Sequence, residues 1–260
     1  MSIPENGYPR AAAVSPRLHI APSVDSTNKK LLTDAFDDPD GHPHLSVVVT
    51  RDQRAGRGRL DRTWVTPPGS ALAVSVLLRV EALPVANRGW IPLVAGAAMT
   101  AAVQAQLDER EVGLKWPNDV LVGGLKICGI LAEVMPGDPH SVVVGAGVNT
   151  RMTAAELPVP TATSFAALAR TADEDRLLAD YLTGLRDAVA ALAVGGTTAD
   201  AAKQAVRTAC STIGADVSVS LPDGVSLIGS AQGIDDEGRL IVDAAGVTHV
   251  VSAGDVVHVR

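Results

Sequence analysis

The chain of 260 residues carries 22 Lys and Arg against 29 Asp and Glu, a formal charge of −7, and is 47% hydrophobic but only 3% aromatic. That composition builds a large aliphatic core, so it excludes global disorder, and the acidic balance argues against a surface made to hold nucleic-acid backbone. Cys128 and Cys210 belong to no Cys/His cluster, which excludes a disulfide scaffold or structural zinc as the organising principle and makes a reducing cytoplasm the expected compartment. No apolar run reaches the roughly 18 residues of a membrane helix, and the first residues resemble no targeting peptide.

Residues 1–17 mix Pro, Gly and small residues without periodicity and read as a mobile tail. The folded part begins at Leu18. The run Asp25-Ser26-Thr27-Asn28 suits the N-cap of a helix over Lys29 to Phe36, and Leu45 to Thr50 reads as a buried strand. Residues 51–64 break every regular pattern and set Gly56 and Gly58 among Arg51, Arg54, Arg57, Arg59 and Arg62. A strand is expected over Ser70 to Arg79, an Ala-rich helix over Leu93 to Leu107, and a further strand from Val112 to Trp116. Val120 to Val122, the Gly123-Gly124 turn and Leu125 to Val134 predict a hairpin, with another strand over Val142 to Val148. Amphipathic helices are expected over Arg176 to Leu192 and Ala201 to Ala209. Short valine-rich runs after Ile213, punctuated at Pro222-Asp223-Gly224, Asp235 to Gly238 and Ala253-Gly254-Asp255, predict a small antiparallel barrel. The fold class expected is therefore α+β, a mixed domain followed by a small all-β one.

Four segments carry chemistry. In Gly56-Arg57-Gly58-Arg59-Leu60-Asp61-Arg62 the glycines let backbone approach a ligand and the guanidiniums can fork onto carboxylate or phosphate. A solvated loop with scattered acid partners would look the same, and no Gly-Lys-Ser/Thr follows, so it is not a Walker A loop. Lys115-Trp116-Pro117-Asn118-Asp119 brings a lysine, an amide and a carboxylate to one bend, yet Pro-Asn-Asp is also ordinary turn chemistry. Lys126 sits in an otherwise apolar strand, where its ammonium either faces solvent or meets an anion, and Gly129 leaves room beside it. Gly145 to Asn149 ends a strand in small residues and an amide suited to a purine edge or to a plain turn.

The joint order of these pieces, from Asp25-Ser26-Thr27-Asn28 through Gln53 to Arg59, Lys115 to Asp119, Lys126 to Glu133 and Gly145 to Asn149, resembles the biotin protein ligase family over residues 18–260. The resemblance implies a mixed sheet with helices on one side, similar to class II synthetases, over 18–209, and an SH3-like barrel over 210–260. Only 17 residues precede the catalytic part, too few for the helix-turn-helix domain of bifunctional members, so the monofunctional form is expected, with no nucleic-acid or membrane partner.

The resemblance also implies roles. Ser26, Thr27, Gln53 and Gly129 would line the biotin site, with Gly56 and Arg57 at its carboxylate. Arg59, Arg62, Trp64, Asn118 and Asn149 would hold the nucleotide, Trp64 stacking on adenine and Asn149 reading its amino edge. Lys126 would bridge biotin's carboxyl and the α-phosphate, supported by Arg57 and Lys115 as catalytic cations. Asp119 would help hold Mg2+ brought with ATP. The expected product is biotinyl-5′-AMP, and the acceptor a lysine of the biotin carboxyl carrier domain of an acyl-CoA carboxylase. A homodimer, a lipoate or octanoate ligase, and a non-catalytic biotin-responsive regulator stay open. Two departures stand out: Cys128 replaces the small Ala common in the family and puts a thiol beside the site, and Asp52 puts an acid in the basic loop, where it can pair with an arginine.

Overall fold

The computed structural model describes residues 7–60, 62–64, 66–221 and 225–259. The elements run α1 (Pro9–Val14), β1 (Leu18–Ile20), α2 (Thr27–Asp37), β2 (Val47–Thr50), β3 (Gly56–Arg57), β4 (Thr63–Trp64), β5 (Ala71–Arg79), α3 (Ile91–Gln104), β6 (Val112–Lys115), β7 (Asp119–Val122), β8 (Leu125–Met135) and β9 (Asp138–Asn149). There follow α4 (Glu174–Val194), α5 (Gly196–Ala209), β10 (Asp216–Ser220), β11 (Ser226–Ile234), β12 (Leu240–Ala244), β13 (Val247–Val251) and β14 (Asp255–His258). Seven strands form one sheet in the order β1-β2-β5-β9-β8-β7-β6, parallel at β1·β2 and antiparallel elsewhere.

Strand alternation decides which face each helix covers. Leu72, Val74, Val76 and Leu78 of β5, with Val142, Val144, Ala146 and Val148 of β9, point into the large core shared with α1, α3 and α4. Leu77 and Val143 point the other way and meet Leu31 and Ala35 of α2, with Val48. Burying Leu31 completely contributes on the order of 1.5–3 kcal/mol to seating α2. Helices thus cover both faces, which corrects the expectation of helices on one side. The periodicity of a helix shows that it has an apolar stripe but not which face of a sheet receives it.

The mobile tail expected over residues 1–17 is also corrected where it is described. Pro9 opens α1, which lies against α4, with Tyr8 and Ala11 buried. The backbone N–H of Arg10 and of Ala11 both donate to the Asp175 carboxylate at the start of α4. Proline at the first helical position has no N–H to leave unsatisfied, so a composition that reads as a tail also reads as a helix start.

Beyond α5 the five strands pair antiparallel in the order β13-β12-β11-β10-β14. Among the described residues β13 and β14 remain its edges, an open sheet rather than a closed barrel. The turn expected at Pro222-Asp223-Gly224 lies outside the described residues. The sheet is fastened to the rest by two buried indoles, Trp90 Nε1 donating to Asp236 O at 2.8 Å and Trp116 Nε1 to Gly238 O at 3.1 Å. One apolar cluster runs through both parts.

Candidate active site

The α2 face of the large sheet is covered at one end and bare at the other, because β9 carries Gly145 and Gly147 there. A Cβ on Gly147 would come within 2.7 Å of the Trp64 indole, and one on Gly145 within 2.2 Å of Asn28 Oδ1. These glycines therefore set the floor on which two site side chains lie. Above it is a cavity of about 160 Å³ lined by Ser26, Thr27, Gln53, Arg57, Arg59, Arg62, Trp64, Asn118, Asp119, Lys126 and Gly129. Of the residues singled out in sequence, Gly56, Lys115 and Asn149 do not line it.

One end is neutral and polar. Ser26 caps α2, its Oγ accepting the Lys29 N–H at 3.4 Å. The Thr27 N–H donates to Gln53 Oε1 at 2.9 Å, and Thr27 Oγ1 lies 3.0 Å from the same atom. Gln53 is delivered by the chain leaving β2, which bridges back to Val24. Gly56 lies behind it, where a Cβ would meet Gln53 Nε2 at 2.4 Å.

The other end is cationic, and its charges are paired within the protein. Lys126 Nζ lies 2.6 Å from Asp119 Oδ1 and 5.8 Å from the Trp64 ring centre. Arg57 pairs with Glu133 at 2.9 Å, and Arg62 with Asp255 of the C-terminal sheet. Arg59 donates to Asn118 Oδ1 at 3.1 Å and to Gly254 O at 3.2 Å. Burial pulls the Arg59 guanidinium below its ordinary pKa, opposed by Asp255 and Asp119. Lys115 is lowered in the same way by burial, with Asp119 opposing. The basic loop is thus pinned at several points and carries the short β3·β4 hairpin, which adds regular structure where none was expected; Asp61 lies outside the described residues. Asp52 does pair with an arginine, Arg54, at 3.1 Å.

Asn149 is buried behind the cavity. Its Nδ2 donates to Thr163 O at 2.9 Å, and its Oδ1 has no hydrogen-bond partner. Cys128 points into the core with no exposure, and burial pushes its thiol well above the ordinary range, so the thiolate needed for reaction is suppressed. Four functional neighbours escaped the sequence reading. Asn28 follows the Ser26-Thr27 pair directly, and Ser75 and Glu133 are polar residues in apolar strands, so each left a signal. Asp255 left none, since it reaches Arg62 from 193 positions away.

The fold and cavity together define an α+β ligase-type catalytic unit followed by a small antiparallel sheet. The same arrangement is found in the biotin protein ligase from Aquifex aeolicus in complex with biotin and ATP, at TM-score 0.77 and 22% identity over 94% of this chain and 99% of that one. The chain belongs to the biotin/lipoate A/B protein ligase family, which matches residues 20–149, and residues 212–259 match the biotin protein ligase C terminal domain. It is 40% identical to the biotin–[acetyl-CoA-carboxylase] ligase of Mycobacterium tuberculosis (strain ATCC 25618 / H37Rv) over 94% of this chain and 90% of that protein. It is 38% identical to the bifunctional ligase/repressor BirA of Escherichia coli (strain K12) over 51% of this chain and 40% of that one.

Proposed function

We propose that this chain is an ATP-dependent biotin–protein ligase that forms biotinyl-5′-AMP and transfers biotin to a lysine of a carboxylase carrier domain. The observation that carries the reading is one cavity with a hydroxyl and amide end, Ser26, Thr27 and Gln53, and a cationic end, Lys126, Arg57, Arg59 and Arg62. Biotin has the matching halves, a polar ureido ring and a carboxylate. The catalytic unit occupies residues 18–209, and residues 210–260 supply the sheet that presents Asp255.

In the first half-reaction a biotin carboxylate oxygen attacks the α-phosphorus, and the bond to the pyrophosphate oxygen breaks. In the second, the carrier lysine amine attacks the acyl carbon, expelling AMP and losing a proton. Neither step needs a side-chain nucleophile. Both need two mutually repelling anions held together, the task of Lys126 between them and of the arginines around them. Glu133 and Asp255 hold Arg57 and Arg62 in place until substrate anions exchange for them. Lys115 adds positive charge behind Asp119, and Asn118 fixes Arg59. Trp64 offers a stacking face to adenine, whereas Asn149, buried behind the cavity, presents neither amide atom to it.

The carboxylates lining the cavity are Asp119 and Asp255, and among the described residues no group of three or more His, Cys, Asp or Glu could hold a metal. That donor set fits Mg2+ carried in by the triphosphate and touched by Asp119, where it would neutralise phosphate charge. Among the described residues no helix is long and apolar enough to cross a membrane, and buried, unpaired cysteines agree with work in the cytoplasm. The test is ATP-dependent pyrophosphate release with biotin and with lipoate. Release with biotin alone is expected; release with lipoate alone, or with neither, would overturn the reading.

A further inference from the structure

Lys126 lines the cavity because β8 breaks its own alternation. In an unbroken strand residues two apart share a face, so Lys126 would point with Cys128 into the apolar core. The β7·β8 register prevents this. Asp119 stands opposite Gly129, Val120 opposite Cys128 and Leu121 opposite Lys126, which makes Ile127 an extra residue between two pairs. A bulge of this kind re-aims the side chains beside it. Ile127 and Cys128 accordingly both lie in the core, whereas Lys126 and Gly129 line the cavity.

On its other side β8 changes partner at the same place. From Cys128 onward it pairs with β9, where Cys128 stands opposite Val148. At Lys126 the partner is instead the segment 161–163, which runs parallel to it. The Lys126 N–H donates to Thr161 O at 2.8 Å, and the Thr163 N–H donates to Lys126 O at 2.8 Å. Both backbone groups of the lysine are thus held by three residues outside the regular strands. Two rungs make too short a ladder to hold by themselves, so what fastens this segment matters. Asn149, the last residue of β9, does so twice. Its Nδ2 donates to Thr163 O at 2.9 Å, and its own carbonyl accepts the Phe165 N–H at 3.2 Å. The Thr163 carbonyl can only accept, which fixes the amide this way round.

We infer that Asn149 is a positioning residue for Lys126: its amide staples the segment 161–163 to the end of β9 and so holds the bulge that turns the Lys126 ammonium into the cavity. The inference rests on the reading that Lys126 meets the reacting anions. It gives a task to an amide that is buried behind the cavity and touches the chemistry only through the strand. A misplacement of about 1 Å at a reacting centre costs on the order of 10²-fold in rate, so a loosened strand registers in turnover.

The test compares the full-length wild type with Asn149→Leu, which keeps the volume and removes the donor. The first readout is amide hydrogen exchange without substrates. The Lys126 and Thr163 N–H should exchange at least about tenfold faster than in the wild type, with Val74 and Val144 in the middle of the sheet unchanged. The second is biotin-dependent pyrophosphate release. Its kcat should fall about tenfold, the scale of one buried hydrogen bond, with KM for biotin and for ATP within about twofold of wild type. In the Lys126→Met background the same substitution should change kcat by less than about twofold, because no ammonium is left to aim. Asn149→Ser, smaller and also without the amide donor, should act in the same direction and serves if the leucine variant does not fold. Unchanged exchange at Lys126 and Thr163, an equal loss of kcat with and without Lys126, or a loss confined to KM for ATP would overturn the role of Asn149. A wild type without biotin-dependent release, or a Lys126→Met enzyme as active as the wild type, would instead overturn the reading on which the inference rests.

Discussion

Replacing Lys126 by Met keeps the length of the side chain and removes its charge. Lys126 is the cation whose Nζ lies against Asp119 at 2.6 Å, beside Gly129 and the Trp64 ring, where the proposed reaction would bring its two anions together. Losing a preorganised donor at developing charge costs about 10²- to 10³-fold in rate, roughly 2.7 to 4 kcal/mol. The fold is expected to tolerate the change. The Lys126 and Asp119 side chains are 34% and 19% exposed, so the pair is partly solvated and contributes at most about 1 kcal/mol. Asp119 also keeps the field of Lys115. That loss corresponds to a fall in Tm of no more than about 4 °C for a chain of this size. Lys126→Arg should rescue only partly, since a planar fork beside Gly129 aims its donors differently from a point ammonium. The assay is biotin-dependent pyrophosphate release by wild type and variants, with thermal unfolding of each. A Met variant with unchanged Tm and a rate within a few-fold of wild type refutes the reasoning, and would make Lys126 a strand lysine with no part in the reaction.

Gly147→Ala places a methyl within 2.7 Å of the Trp64 indole, and should tilt the ring and raise KM for ATP by about tenfold, a loss on the scale of one stacking contact; steady-state kinetics and tryptophan fluorescence check it, and an unchanged KM removes Trp64 from the nucleotide site. Asp255→Ala takes away the carboxylate that holds Arg62 to the C-terminal sheet. Trypsin should then cut residues 54–62 several-fold faster without ligand, while stability changes by less than about 1 kcal/mol; equal cleavage of both proteins dismisses the latch. His44 Nδ1 accepts the Arg79 N–H at 3.1 Å, and burial lowers its pKa from 6.5. Because the unfolded chain takes up that proton first, stability is full above the ordinary value and falls as pH drops below it. Urea midpoints at about pH 7.5 and 5.5 should show the loss in wild type and a smaller one in His44→Gln; equal losses put the acid sensitivity elsewhere.

Elements whose physics is local were legible in the sequence. Ser26 as a helix cap, two glycines with positive φ at the Gly123-Gly124 hairpin, and the apolar β5 and β9 all follow from residue type and period. Part of the cavity lining could be read because its chemistry is clustered along the chain, with glycines among arginines and a lysine in an apolar strand, whereas the amide after small residues, Asn149, lies behind the cavity. Elements that depend on what lies opposite were not legible. Pro9 to Val14 is a helix because Asp175 satisfies its first N–H groups, and nothing near residue 9 announces a partner 165 positions away.

The sequence by itself determined which residues could do chemistry and in what order they come. Only the tertiary structure decided their present partners. It set Asp119 on Lys126, Glu133 on Arg57 and Asp255 on Arg62, turned the Cys128 thiol into the core, and laid α2 on the face opposite α3. It also aligned Ser75 with Gly145, whose missing side chain leaves room for Asn28 to reach the Ser75 hydroxyl. The physical reason is one of range: capping and periodicity act within a turn or a strand, whereas charge pairing and hydrogen-bond direction depend on atoms that the chain brings together only when the sheet closes.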